Sequence, residues 1–323
     1  LKRGENLSFD QSKVLFTDLM EGKHSEDLII EILESFIKKG ETKDELAGGI
    51  FVLRSKASKV KTDPNTIDTC GTGGDGQNSL NISTAAAIVL ASMGVKVAKH
   101  GNKAVSSKCG SGDVLEALKI KIDLEPEDIE KEINTNNFGF MFAPNYHSAM
   151  RFVGPTRKKI GKRTIFNMIG PLSSPALVKR QVVGVFDKKL LKIFANALNN
   201  LDIKFAWIVN SEDGLDEISP YAKTNVIQLK NNVISEIVID PNKLDINADK
   251  FENLVGDDAK FNANKMLEIF KGEDNDFSKA VCLNAAAGLI VNETHEEFSE
   301  AYKLSLIHIS EPTRRYAISY AVF

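Results

Sequence analysis

Four glycines fall within six residues, at Gly71, Gly73, Gly74 and Gly76, directly after a short strand-like lead-in at residues 65–68. Glycine reaches positive φ without steric cost and lets the backbone come close to a ligand. A backbone curled in this way points several N–H groups at one anion. The run therefore restricts this part of the chain to a strand, a tight loop and a following element. Many βα turns share that composition, so the glycines alone leave two readings, a plain turn and an anion cradle.

The next forty residues favour the cradle. Asn81-Ile82-Ser83-Thr84 opens a nearly all-apolar helix at 85–93. Asn81, Ser83 and Thr84 are residue types that satisfy free N–H groups at a helix start. The same start can hold phosphate through its donors and dipole. The helix lacks a polar face and is expected to be buried. Residues 95–98 read as a buried strand ending at Lys99-His100-Gly101-Asn102-Lys103. Ligands of open α/β sheets sit beyond the carboxyl ends of the strands, so Lys99 is expected near the phosphates as a point charge. His100 either lines the site or is a hydrogen-bonded loop histidine. Ser106 and Ser107 add hydroxyl donors. Ser111 is expected to cap the next helix, at 113–118, to bind phosphate, or to do both. The pattern is neither GxxxxGK[ST] nor GxGxxG, since Gln77 and Asn78 prolong the loop where the third glycine of the latter would open a helix.

The rest of the chain supplies a frame. The first 60 residues read as helical, with capping boxes at Ser8/Gln11 and Thr42/Glu45. Leu28, Ile29, Ile32, Leu33, Phe36 and Ile37 make an apolar stripe at helical spacing, suited to internal core or to a partner. After Thr66 strand-like runs (181–186, 205–209, 225–229, 233–239) alternate with helical ones (188–201, 284–291), which is an α/β pattern. Residues 125–179 look helix-rich and carry Arg157. With 323 residues, 42% of them hydrophobic, and a formal charge of −3, the chain can bury a sizeable core and has no basic footprint for nucleic acid. No apolar run approaches the ~20 residues of a membrane span. Cys70, Cys109 and Cys282 lack metal-ligand spacing and fit a reducing cytoplasm.

Gly71 to Asp75, Asn81 to Thr84 and Lys99 to Asn102 together resemble the signature of the anthranilate phosphoribosyltransferase family. Phe142-Ala143-Pro144 with His147, Ala149 and Met150, running on to Arg157, is similar to that family's aromatic-substrate segment. Arg163-Thr164-Ile165-Phe166-Asn167 with Gly170-Pro171-Leu172 is similar to the segment after it, and Asp213-Gly214-Leu215-Asp216-Glu217 to its acidic metal motif. The order matches from about Arg3 to about Asn292. Gly112, Ser148 and Lys103 stand where the family more often has alanine, proline and arginine.

The resemblance implies an α/β fold: a small helical domain (1–63, with part of 125–179 packed on it) and a larger α/β domain (64–303) around a mostly parallel sheet. The active site is expected in the cleft between them. It implies attack by the amine of anthranilate on C1 of 5-phosphoribosyl 1-diphosphate, with loss of pyrophosphate, in tryptophan biosynthesis. The diphosphate ester would be held by Gly71, Gly74, Asp75, Ser79, Asn81, Ile82, Ser83 and Thr84. Lys99, His100, Gly101, Asn102, Lys103, Ala104, Val105, Ser106, Ser107 and Ser111 would complete that site. Anthranilate would meet Gly71, Asn102 and Arg157, whose planar fork suits a carboxylate. Mg²⁺ would use Ser83, Asp216 and Glu217; adjacent carboxylates offer hard oxygens, and this ion is usually shared with substrate phosphates. A homodimer through the helical domain is also implied, with no nucleic-acid or membrane partner.

Two alternatives share the fold type. A pyrimidine nucleoside phosphorylase-like enzyme would not need Asn102 with Arg157 or the Asp216-Glu217 pair. A non-enzymatic nucleic-acid-binding relative would be expected to lose the loop or metal residues and carry a basic face. At the ends, the first half-helix of the family is expected to be missing before Leu1. Residues 304–323 resemble nothing in the family and read as a non-native tail, with Pro312 and no clear periodicity.

Overall fold

The computed structural model describes residues 1–104 and 108–309. Val105, Ser106 and Ser107 of the expected diphosphate site, and residues 310–323 of the tail, lie outside the described residues. The sheet contains β1 (Ile67–Gly71), β2 (Val97–Gly101), β3 (Phe138–Phe142), β4 (Arg180–Gly184), β5 (Phe205–Ser211), β6 (Thr224–Lys230) and β7 (Val233–Ile239). Its order is β3-β2-β1-β4-β5-β6-β7. The first five strands are parallel, and β6 and β7 are antiparallel additions. Strand β3 interrupts the stretch that reads as helix-rich. Its sequence, Phe-Gly-Phe-Met-Phe, is a short apolar run, which periodicity cannot assign to strand or helix.

The chain winds outward from β1 through β2 to β3, then returns to place β4 on the other side of β1. The strand order reverses there, and Gly71 at the end of β1 lies in register with Gly184 at the end of β4. A crevice outside the carboxyl ends of the strands at such a switch point is where open α/β sheets bind ligands.

The described helices are α1 (Phe9–Met20), α2 (Glu26–Lys39), α3 (Lys43–Lys56), α4 (Ile82–Ser92), α5 (Ser111–Ala117), α6 (Pro126–Asn136), α7 (Ala143–Tyr146), α8 (Gly154–Ile160), α9 (Ile165–Ile169), α10 (Leu190–Asn199), α11 (Ala259–Phe270), α12 (Asp276–Asn292) and α13 (Phe298–His308). Successive strand residues point to opposite faces, so Val182 and Val183 enter different cores. One core holds the apolar helices α4 and α12, where Gly288 leaves room for Leu90. The other joins Phe16, Leu33 and Phe36 of α1 and α2 to Phe166 and Ile169 of α9, and onward to Val183 and Ile208 of the sheet. The helical bundle is thus anchored on the sheet face below the switch point.

Both expected capping boxes close. Ser8 and Gln11 exchange bonds at α1, and Thr42 and Glu45 do so at α3. In the α2 stripe Ile29, Ile32, Leu33 and Phe36 are buried, whereas Leu28 and Ile37 remain exposed. At the other end α13 runs through His308, with Ser305 and Ile309 buried. The chain is therefore helical over 304–308, where the sequence reads as a tail without clear periodicity. The helix escapes a periodicity test because both of its sides are partly apolar.

Candidate active site

Strand β1 ends on Gly71, and Thr72 N–H continues the pairing by donating to the Gly184 carbonyl at 2.9 Å. Gly73, Gly74 and Gly76 then take φ of +63°, +72° and +82°. Only glycine adopts this succession without strain. The loop is tied on two sides. Gln77 donates its side-chain amide to the Asp213 carbonyl (3.2 Å), and Gly73 N–H donates to Asp216 Oδ2 (2.9 Å). Asp75 spans the same gap, accepting from Gln77 N–H at 3.0 Å and Asp216 N–H at 3.4 Å.

The acidic loop after β5 therefore lies on the switch point itself. A Cβ on Gly184 would stand 1.5 Å from the Asp216 carbonyl oxygen, and one on Gly71 would stand 2.6 Å from Asp216 Oδ2. Two glycines at paired strand ends let a second loop descend onto the sheet. Glu217 reaches farther and accepts from Ser83 N–H, in the first turn of α4, through Oε1 at 3.2 Å. Ser83, Asp216 and Glu217, distant in sequence, are brought together as expected.

These carboxylates are buried beside one another, at 6% and 8% exposure. Burial, then the neighbouring Asp75 charge, pushes Asp216 up to about 7. Burial, then Asp216, pushes Glu217 up to about 8. Lys99 gives partial relief. It is 1% exposed, donates to the Thr69 carbonyl, and approaches Ser83 Oγ at 3.4 Å. Burial pulls its ammonium downward against the attraction of Asp68, Cys70 and Glu217. The lysine thus sits beneath the α4 start. Asp68 is wholly buried, accepts His100 N–H at 3.2 Å, and is pushed up to about 7 by burial. Sequence reasoning does not assign Asp68. A carboxylate inside a strand followed by a lysine on the neighbouring strand is its available signal.

The helix start differs from simple capping. Asn81 makes no cap bond. Its amide donates to the Cys109 carbonyl (3.3 Å) and accepts from Asn262 of α11 (2.9 Å), clamping the Cys109 loop and α11 together. Ile82 is buried, and its N–H is taken by the Leu80 carbonyl. Thr84 Oγ1 donates to Ser111 Oγ at 3.0 Å, joining α4 to α5. Ser111 does not cap α5. Gly110 is the capping position, and Asp113 Oδ2 accepts from both Gly110 N–H (2.8 Å) and Ala104 N–H (2.7 Å). The expected serine loses this role because Asp113 reaches back over the loop. Ser79 forms a lone bridge with Val255.

Around Asn102 the loop is held by its own bonds. Asn102 Oδ1 accepts from Lys103 N–H and its carbonyl from Gly112 N–H. Gly101 is pressed against Phe140, where a Cβ would be 2.8 Å from the ring. Lys103 pairs with Glu116 at 2.8 Å and lies over Phe142. Arg157 lies over the Phe166 ring, 5.2 Å from its centroid, and donates to Asn167 Oδ1 at 3.4 Å. Its Nε is buried without a partner, and burial lowers its basicity. Among the described residues no hydrogen bond joins Arg157 to Gly71 or Asn102. His100 and His147 face each other with ring centroids 5.0 Å apart, and both Nε2 atoms are buried and unpartnered. Arg163, given no ligand role from the sequence, bonds the Gly74 carbonyl and stacks on Phe186 at 3.7 Å.

The donor set suits Mg²⁺. Two hard carboxylates with raised proton affinity and a serine hydroxyl converge where a divalent cation would relieve their repulsion. Among the described residues no group of three or more His, Cys, Asp or Glu side chains is arranged to hold a metal unaided. An ion shared with a bound phosphate ester matches that arrangement.

Residues 63–311 match the model of the glycosyl transferase family, a/b domain. The chain is 76% identical over 309 residues to an anthranilate phosphoribosyltransferase of Pelagibacter ubique, covering 96% of this chain and 93% of that protein. It is 45% identical over 299 residues to the enzyme of the same name from Alkaliphilus metalliredigens, covering 92% and 88%. The crystal structure of anthranilate phosphoribosyltransferase from Thermus thermophilus superposes with a TM-score of 0.92 at 33% identity, covering 98% of this chain and 96% of that one. The Saccharomyces cerevisiae enzyme, solved in complex with PRPP and Mg, gives 0.83 at 26% identity, covering 97% and 90%.

Proposed function

The chain belongs to the anthranilate phosphoribosyltransferase family, and we infer that it transfers the 5-phosphoribosyl group of 5-phosphoribosyl 1-diphosphate to the amine of anthranilate. The products are N-(5-phosphoribosyl)anthranilate and pyrophosphate, in tryptophan biosynthesis. The observation that carries this reading is the meeting of glycine loop, α4 start and Asp216-Glu217 loop above β1 and β4.

Breaking the C1–O bond builds positive charge at the ribosyl centre and negative charge on the departing diphosphate. Catalysis then consists of positioning and of stabilising that negative charge. The glycine loop and the start of α4, whose Ser83 N–H is held by Glu217, would flank the diphosphate. Lys99 adds a fixed positive field from below through Ser83. Asp75, Asn81, Thr84, Asn102 and Ser111 act by holding loop shape through their bonds to Gln77, Asn262, Lys103 and, between Thr84 and Ser111, to each other. Mg²⁺, held by Ser83, Asp216 and Glu217, supplies charge against the diphosphate when bound. Arg157 turns its guanidinium to the anthranilate carboxylate, with Asn167 and Phe166 fixing its plane. An aromatic amine is largely unprotonated at neutral pH, so the attack needs no strong base. His100 and His147, neutral and lacking Nε2 partners, line the anthranilate side.

The helical unit (1–63, with part of 125–179) and the α/β unit (64–303) form the two walls of the cleft. Exposed Val14, Leu28 and Ile37 on α1 and α2 offer an apolar face for a second copy, giving a homodimer. Among the described residues no helix is long and apolar enough to cross a membrane, which fits a cytoplasmic enzyme. Anthranilate fluorescence tests the reading. Its loss must require protein, 5-phosphoribosyl 1-diphosphate and Mg²⁺ together; no loss with all three present overturns it.

A further inference from the structure

We propose that Arg163 is a positioning residue that couples the two substrates, by tying the helix that carries Arg157 to the glycine loop. This rests on the reading above for the identity of the substrates. Arg163 lies in the short segment between α8 and α9. Its guanidinium donates to the Gly74 carbonyl and stacks on Phe186. The contact is close enough that a Cβ on Gly74 would stand 3.0 Å from Arg163 Nε and Nη2.

Both ends of this tie are stiff. On the Arg157 side, Gly161 closes α8 in the left-handed conformation and donates to the Arg157 carbonyl at 3.2 Å. Asn167 Oδ1 accepts from Thr164 N–H at 3.0 Å and from Arg157 Nη2 at 3.4 Å. One amide oxygen thus fixes both Arg157 and the residue after Arg163. On the loop side, Phe186 N–H donates to Thr72 Oγ1 at 3.1 Å, and Thr72 N–H donates to Gly184. Phe186 is therefore both the platform under Arg163 and a brace for the loop it holds.

Coupling between the two substrates needs an element with two states, and the glycine loop can supply it. Gly73 and Gly74 are exposed and at positive φ, so the loop can leave the position in which its N–H groups converge. With Arg163 bonded to the Gly74 carbonyl, the loop is held to the segment between α8 and α9. A carboxylate on Arg157 orders the Asn167 hub and with it the 161–164 segment, which favours the bonded loop. A diphosphate in the loop favours the same state from the other side. Two ligands that favour one state of a shared element bind with positive coupling, equal in both directions.

The experiment measures binding of 5-phosphoribosyl 1-diphosphate with Mg²⁺ by calorimetry, with and without saturating benzoate. Benzoate has the ring and carboxylate but no attacking amine. The full chain is expected to bind the ester at least about fivefold more tightly with benzoate present. In Arg163→Ala the ratio is expected to fall to about 1, while each ligand still binds alone. Phe186→Leu, which removes the stacking platform and keeps the guanidinium, lowers the ratio in the same direction and carries the test if Arg163→Ala does not fold. A role confined to stability would lower the melting temperature without changing the ratio. An unchanged ratio in both variants, or a ratio of 1 in the parent chain, overturns the proposal. Loss of anthranilate fluorescence in the parent chain, measured separately, keeps that failure distinct from failure of the transferase reading.

Discussion

Glu217 holds Oε1 3.2 Å from the backbone nitrogen of Ser83, so an acid from the loop after β5 closes the first turn of α4. This bond joins the acidic loop to the helix that follows the glycine loop. It also places a buried acid, pushed up to about 8, where a phosphate would meet the helix dipole.

Asp216→Asn should separate metal use from folding. The substitution keeps an acceptor for Gly73 N–H but removes a buried charge beside Asp75 and Glu217. The Mg²⁺ concentration for half-maximal rate should rise by about tenfold or more, the scale of losing one charged ligand. The melting temperature should hold or rise, since like-charge repulsion is relieved. A magnesium titration beside a thermal melt checks both.

Gly184→Ala and Gly71→Ala should differ in kind. At Gly184 the new methyl meets the Asp216 backbone at 1.5 Å; at Gly71 it meets the Asp216 side chain at 2.6 Å. Backbone cannot step aside, so Gly184→Ala must displace the acidic loop, at a cost on the order of 3 kcal/mol. The side chain can rotate, so Gly71→Ala should cost about 1 kcal/mol. It should raise the Mg²⁺ requirement more than it lowers stability. Urea denaturation and steady-state rates test the contrast.

Arg157→Ala should raise KM for anthranilate by about tenfold to a hundredfold, the scale of one charge-assisted hydrogen bond to a carboxylate. KM for the diphosphate ester should change by less than about threefold. Equal rises in both would remove Arg157 from the anthranilate site.

The share of stability that rests on two buried imidazoles should fall in mild acid, against the opposite trend of Asp68, Asp216 and Glu217, whose raised values make the folded chain bind protons first. Burial, then the Lys59 charge, holds His147 down at about 4, against an ordinary 6.5. Burial and the His147 and Lys99 charges hold His100 well below its ordinary value. The unfolded chain takes up protons below about pH 6.5 while these folded imidazoles stay neutral. The contribution of the two histidines is then complete above 6.5 and declines as pH falls toward 4. His147→Asn should flatten that decline by on the order of 2 kcal/mol between pH 6.5 and 4. Chemical denaturation midpoints across this range provide the measurement.

Much of the site could be read from sequence because it rests on local chemistry. The positive-φ glycines, the apolar helix after Thr84 and the two capping boxes each depend on a few consecutive residues. The α/β pattern after Thr66 followed from alternation of apolar runs, and the mostly parallel sheet from the family resemblance. The family signature gave the order of the loops.

Tertiary structure decided what those loops do to one another. That Asn81 clamps Cys109 and Asn262 instead of capping α4, and that Asp113 displaces Ser111 as the cap of α5, depends on groups that approach only after folding. Lys99 was legible as a cation, but its place beneath Ser83 depends on β2 lying next to β1. The bonds that Arg163 and Asp68 make were not legible, because their partners come from other strands and loops. Local propensity is set by neighbours along the chain, whereas hydrogen-bond partners and buried charges are set by neighbours in space. The sequence by itself determined which loop could cradle an anion. The reversal of strand order between β1 and β4, with glycine at both strand ends, decided which acids and which arginine would surround it.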